Sequence, residues 1–467
     1  MAVVTVKVPR VKPVLRSKEE PVPPPAPTAP GNTGPLEAEQ ADVRPDNMTV
    51  SQVSKAWLWG AASMLVIGAA FNSQPLFGLG LVLSAALLVA WAWAQWSLRG
   101  LRVERRFSHT RAFWGEEVDM AHVFVNNKPL PVPWLAIDDQ YPGRLHIADH
   151  GPDYHAQSRS VEFGTVMSLG WYERVVKHYT VQCVARGEHE FGPIELRSGD
   201  IFGLFRRSAR LDTPQTLLVY PRYVPVWQLG IPARQPFGDY KALQPLATDP
   251  LRLRGVREYA VGDNPRHIHW KATAKRAIPQ TKLFEPAATP QFFIFCNQDT
   301  FARVWEGLDP QTLELTITVA ASIANYALEE GFMVGLQVNA FAAESDSQVK
   351  LLPSRDPSQL TRILESLARV RGWSGLPMEE LIRAQRSMMP RGSTIIVVTG
   401  VVTEEMLHLL LALRRAGHPV TLVETAGSER ALKWAKLKSP EALRARGITY
   451  YLVEAVGKAD KIEDLSF

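Results

Sequence analysis

The densest concentration of side chains able to bind or pair lies in the middle of the chain. It reads Arg254-Gly-Val-Arg257-Glu258-Tyr259-Ala-Val-Gly262-Asp263-Asn-Pro-Arg266-His267-Ile268-His269-Trp270-Lys271-Ala-Thr273-Ala-Lys275. Arg257, Arg266, Lys271, Lys275 and Arg276 outnumber Glu258 and Asp263, so the segment is locally basic. Gly262-Asp263 suits a turn, because glycine takes positive φ without strain. Trp270 offers a flat apolar face on which an arginine can stack. Two roles fit these residue types. One is a docking or anion-binding surface. The other is a salt-bridge network of Arg257, Asp263 and Arg266 that clamps two domains together.

Catalysis finds less support. His267 and His269 straddle Ile268 and would share one face of a strand, but two histidines without a third ligand make no metal site. The two cysteines, Cys183 and Cys296, are far apart and have no CxxC or histidine partner at metal spacing. Each lies in an apolar or alternating stretch and reads as a packed small residue. No GxxxxGK[ST], HExxH or GxSxG occurs. The chain reads as a non-enzyme with no cofactor. Its 52 basic and 47 acidic residues leave +5 over 467 residues, too little to argue for nucleic acid.

The elements that position this segment follow from composition along the chain. Residues 56–98 contain no Asp, Glu, Lys or Arg. Two apolar runs, 56–71 and 76–96, flank the turn Asn72-Ser73-Gln74-Pro75. A membrane helix needs about 20 apolar residues, so 55–98 are expected to form a transmembrane helical hairpin. Trp57 and Trp59 open it, and Trp91, Trp93 and Trp96 close it, as half of an aromatic belt. Lys55, Arg99, Arg102, Arg105 and Arg106 flank the two runs while the turn is uncharged. The positive-inside rule then gives two spans in an inner (plasma) membrane with both termini cytoplasmic.

Residues 1–54, with ten prolines in the first fifty, read as a disordered tail, either a tether or a proline-rich ligand. Residues 99–225 carry short alternating runs with Gly/Pro punctuation, the pattern of an antiparallel β-sandwich. Residues 226–290 form the signature linker. Residues 291–467 alternate strand and helix, which means a mostly parallel sheet with helices on both faces. Strands are expected at 291–296, 332–338, 394–399, 420–424 and 448–453. Helices are expected at 312–330, 357–370, 404–416 and 429–437.

The pattern Arg257-x-Tyr259-x-x-Gly262-Asp263-x-x-Arg266-x-Ile268-x-Trp270-x-x-x-Ala resembles the signature of the domain of unknown function 58 family. Arg186-Gly187-x-x-x-x-Gly192-Pro193 and Ser198-Gly199-Asp200-Ile201-Phe202-Gly203-Leu204-Phe205 resemble the segments that precede it. The resemblance extends over most of 55–467. It implies that 291–467 is a von Willebrand factor A-like (Rossmann-like) α/β domain. That fold can hold Mg²⁺ through Asp-x-Ser-x-Ser, and the pattern is absent here. Asp299 and Thr300 are what remains at the matching strand end, and one carboxylate makes a poor cage. Where the family has Ala-Arg, this chain has Ala274-Lys275, which loses any bidentate contact by that arginine. The resemblance also implies a link with MoxR-type AAA+ ATPases. The expected function is a bacterial membrane-anchored scaffold or adaptor for such an ATPase in assembly or maturation of membrane or envelope complexes. The alternative is an anion- or ligand-binding receptor using the basic signature.

Overall fold

In the computed structural model the described residues are 41–42, 48–50, 52–147, 161–232, 236–237, 248–260, 263–286, 290–301, 306–342, 348–435 and 440–455. Most of the expected proline-rich tail, and Gly262 of the signature, lie outside them. At the end of that tail the chain is ordered as strand. Ala41–Asp42 pairs with Leu101–Phe107, and Met48–Val50 pairs with Phe205–Leu211. Thr49 and Val50 are β-branched, a residue class enriched in strands.

Two helices follow, α1 (Gln52–Ala70) and α2 (Gln74–Ser97). Asn72 turns the chain at φ 51°, and Pro75 sits in the first turn of α2, where its missing N–H costs nothing. The helices pack closely through small residues: a Cβ on Gly68 would come within 2.6 Å of the Phe77 backbone nitrogen. Among the described residues only α2, with 24 residues and a mean hydropathy of 2.1, is long and apolar enough to cross a bilayer. The apolar part of α1 is the shorter Lys55–Ala70. At 1.5 Å per residue it rises about 24 Å against a hydrocarbon core of about 30 Å. The transmembrane hairpin and the two-span inner-membrane placement are therefore corrected. The inference that both termini are cytoplasmic goes with them, because it needs an even number of crossings.

The β region holds two five-stranded sheets. One runs Ala41–Asp42, Leu101–Phe107, Glu117–Asn126, Arg174–Gln182, His146–Ile147. The other runs Met48–Val50, Phe205–Leu211, Ile194–Gly199, Val132–Tyr141, Val161–Leu169. All pairings within them are antiparallel. Their inner residues, among them Val103, Phe124, Leu135, Ile137, Leu196 and Leu211, share one core. A third sheet joins Gly187–Phe191, Gln215–Tyr220 and Arg111–Phe113, the last pair parallel.

The α/β layer is a seven-stranded sheet. Its order is Gln348–Ser354, Met333–Ala342, Gln291–Cys296, Thr394–Thr399, Val420–Ala426, Thr449–Glu454, with Val370–Ser374 paired to Met333–Ala342 off this path. The five strands from Met333–Ala342 to Thr449–Glu454 are parallel. Strands buried on both faces read as continuous apolar runs, as Gln291–Cys296 does. Phe292, Ile294 and Cys296 pack into one core with α4 (Pro310–Glu329) and α5 (Gln359–Arg369). Phe293 and Phe295 pack into the other with α6 (Met378–Gln385) and α7 (Glu404–Arg415). The first core also takes in Leu218 and Tyr220 of the third sheet. The β region and the α/β layer thus share buried surface.

Candidate functional site

The signature forms a small module of its own. Strand Thr248–Glu258 pairs antiparallel with Gln280–Pro286, and between them lie a 3₁₀ turn, Pro265–His267, and a short helix, α3 (Trp270–Arg276). Asp263 is the hub. Its carboxylate accepts from Arg257 Nη2 at 2.5 Å, from the Ala260 amide at 3.0 Å and from Thr281 Oγ1 at 3.2 Å. The Ala260 amide, then the Arg257 guanidinium, hold this carboxyl below its usual range. Tyr259 Oη donates to the Asp263 carbonyl at 3.0 Å, and Ile268 bridges to Thr281. The Asn264 side chain accepts from the Arg266 amide at 3.1 Å. His269 Nδ1 accepts from the Ala272 amide at 3.1 Å, so this histidine caps a helix. His267 lies in the 3₁₀ turn, so the two histidines are not on a strand.

The module divides the signature residues into two sets. Tyr259, Asp263 and Ile268 are inward braces, with Arg257 half-exposed beside them. Arg266, Trp270, Lys271 and Lys275 are exposed, Trp270 at 72%. Among the described residues the Arg257–Asp263 pair stays inside the module. The ion pairs that join the β region to the α/β layer lie elsewhere. Arg186 Nη1 donates to both Glu314 carboxylate oxygens, at 2.7 and 2.9 Å, with the arginine buried. Arg111 Nη1 meets Glu365 Oε1 at 2.9 Å, and Tyr220 Oη donates to the same oxygen at 3.4 Å. Sequence reasoning missed these pairs. The only available signal was the position of Arg186 in a family-like segment, and no spacing could pair it with a glutamate 128 residues away.

The second place where chemistry could sit is the C-terminal end of the parallel strands. Strand order reverses direction there, on either side of Gln291–Cys296, which is where open α/β sheets bind ligands. The residues present are amides and hydroxyls already bonded to one another. Asn297 Nδ2 donates to Thr399 Oγ1 at 3.0 Å. Asn339 Nδ2 donates to Asn297 Oδ1 at 2.8 Å and to Asp299 Oδ2 at 3.0 Å. Thr300 Oγ1 accepts from the Asp309 amide at 2.9 Å. Burial pushes the Asp299 carboxyl above its usual range. Among the described residues no three or more His, Cys, Asp or Glu side chains gather to hold a metal. A Mg²⁺ ion needs several hard oxygens with negative charge among them. One carboxylate engaged by Asn339 does not fit that need.

Both cysteines are buried, and burial pushes each thiol up to about 12. A thiol held that high is a poor nucleophile. In native protein neither cysteine is expected to react with a disulfide-exchange reagent at neutral pH, and both are expected to react after denaturation. Rapid, selective modification of native Cys296 would contradict this and reopen the enzyme reading.

Comparison with known proteins now adds the family. Residues 255–441 match the family model described as Protein of unknown function DUF58. The chain carries a DUF58 domain. The match begins at the signature hairpin and ends in the helix Pro440–Ala445, which is narrower than the resemblance over 55–467. The chain is 26% identical over 332 residues to Uncharacterized protein YeaD of Bacillus subtilis (strain 168), covering 70% of this chain and 76% of that one. Among solved structures, the GH20 exo-β-N-acetylglucosaminidase of Vibrio harveyi with N-acetylglucosamine aligns at 10% identity. It covers 76% of this chain and 90% of its own, with a TM-score of 0.15. An inactive mutant of that enzyme aligns at 9% identity, covering 79% and 93%, with the same score of 0.15. Likeness at that score carries nothing for the fold or chemistry of the DUF58 domain.

Proposed function

We propose that this protein is a membrane-associated scaffold or adaptor whose DUF58 domain docks a MoxR-type AAA+ ATPase through the exposed signature. The observation that carries this reading is the division of the signature. Asp263 braces the module from within, while Arg266, Trp270, Lys271 and Lys275 face outward. An exposed tryptophan with exposed cations close by in sequence is the composition of a binding hot spot, where Trp and Arg dominate the energy. Charge of one sign would steer an acidic partner surface to it. A parallel sheet with helices on both faces supports reading the α/β layer as von Willebrand A-like, without its metal. The apolar length of α2 supports membrane association.

The test is isolation of the full chain from native membranes. A AAA+ ATPase in stoichiometric amount is the expected result. Its absence, with a small anion bound instead, would favour the receptor reading, since the same cations suit either ligand.

A further inference from the structure

Two exposed apolar turns of the β region flank α2, and neither belongs to a core. The first joins Val161–Leu169 to Arg174–Gln182 and carries Trp171 and Tyr172, exposed at 73% and 69%. The second joins Ile194–Gly199 to Phe205–Leu211 and carries Ile201 and Phe202, exposed at 59% and 73%. A single exposed apolar residue needs no explanation, but four at two tips beside one apolar helix do.

Both turns are fixed to α2. Lys128 Nζ donates to the Ser97 carbonyl and, at 2.8 Å, to the Arg99 carbonyl, which holds the loop after Glu117–Asn126 against the helix end. The Asn127 amide donates to the Gly100 carbonyl at 2.9 Å. The same loop holds the first turn: the Tyr172 amide donates to the Lys128 carbonyl at 3.2 Å, and Asn126 Nδ2 donates to the Gly170 carbonyl at 2.6 Å. The second turn is shaped by Asp200, whose carboxylate accepts from the Phe202 amide at 2.9 Å and the Phe205 amide at 2.6 Å. Phe205, at its base, packs with Leu87, Ala90 and Ala94. Leu87 lies about 15 Å up the helix axis from Ser97. Whatever medium surrounds that stretch of α2 also surrounds the turn beside it.

We infer that the Trp171–Tyr172 and Ile201–Phe202 turns form a collar that sits in the phospholipid headgroup layer where α2 enters the bilayer. This rests on the reading that α2 is membrane-embedded, and it adds a second, sandwich-borne contact. Trp and Tyr favour that layer because one end of the ring is apolar and the other wet. Exposed Arg99 and Arg174 stand at the same end and complement lipid phosphate. Trp96, Arg99, Gly100, Lys128, Pro129 and Leu130 line a largely apolar cavity of about 330 Å³ there. The collar would fix the tilt of the soluble part against the membrane, so that one helix need not act as a loose swivel.

The experiment uses the full chain in vesicles of phosphatidylcholine with phosphatidylglycerol. Because Cys183 and Cys296 are buried, single cysteines introduced at exposed positions can carry an environment-sensitive fluorophore. The variants are Trp171→Cys and Phe202→Cys at the turns, Leu88→Cys on α2 and Met388→Cys on the α/β layer. Nitroxide lipids then report contact with the bilayer. Residues at a collar should lie about 5–10 Å into the headgroup–acyl boundary. The expected result is quenching at 171 and 202 by nitroxides near the headgroup, quenching at 88, and none at 388. Quenching at 88 with 171 and 202 behaving like 388 overturns the collar and leaves the membrane reading standing. No quenching at 88 overturns both. Two independent turn positions guard against one substitution disturbing its own turn, and circular dichroism checks each variant.

Discussion

Asp139→Ala is expected to destabilise the β region by about 3–5 kcal/mol, the cost of leaving a buried charge without its partner. Asp139 and Arg105 are 3% and 2% exposed. Arg105 Nε donates to Asp139 Oδ2 at 3.2 Å, and Arg105 Nη2 donates to the other oxygen. The guanidinium also donates to the Phe191 carbonyl at 3.3 Å and the Gly192 carbonyl at 3.1 Å. His122 Nε2 stands 2.9 Å from Asp139 Oδ2, close but outside hydrogen-bond alignment. The carboxylate thus faces two basic groups that water does not reach. Removing it strands the guanidinium in a medium of low polarity, whereas Asp139→Asn keeps an acceptor and should cost less. Whole-domain stability is about 5–15 kcal/mol, so the alanine variant should show a much lower urea midpoint. A loss under about 1 kcal/mol would mean the pair is solvated after all.

Gly427→Ala should cost about 3 kcal/mol through overpacking. An added Cβ would overlap the backbone of Gln311 and Thr312 at the start of α4, and no side chain there can rotate away. The start of α4 cannot simply retreat. Ser428 Oγ and Thr312 Oγ1 both donate to Asp309 Oδ2 at 2.5 Å, and the Gly427 amide donates to Thr312 Oγ1 at 3.0 Å. Gly255→Ala is the matched control, because a Cβ there meets nothing within 4 Å. It should stay within about 0.5 kcal/mol of the parent. Equal thermal midpoints for the two variants would show that α4 packs less closely than this geometry requires.

The α/β layer was the most legible part of the chain, for a physical reason. Strands covered on both faces must be apolar throughout, so Gln291–Cys296 and Thr394–Thr399 announce themselves with their observed bounds. Gln348–Ser354 went unread because an antiparallel edge strand carrying Lys350 and Pro353 has no such run. The helix pair was visible as composition, but charge-free is not the same as long enough. Lys55–Ala70 lacks the length to cross, and the two-span reading failed on that count.

The candidate site was half legible. Residue types in the signature marked it as a place of pairing and binding, but they could not say which residues turn inward. That depends on the hairpin register that sets Arg257 opposite Thr281 and so brings both to Asp263. Among the described residues, Arg186–Glu314 and Arg111–Glu365 join the β region to the α/β layer, and these pairs are remote in sequence. Trp171–Tyr172 sat in no motif, and only the folded chain places it beside α2.

The central claim is that the outward face of the signature is a docking surface and not a clamp. The measurement that tests it most directly compares the parent with Arg266→Ala/Trp270→Ala, using circular dichroism and capture of the ATPase from native membranes. The account predicts an unchanged spectrum and thermal midpoint with the ATPase lost. A variant that unfolds, or one that still captures the ATPase in full, would contradict it.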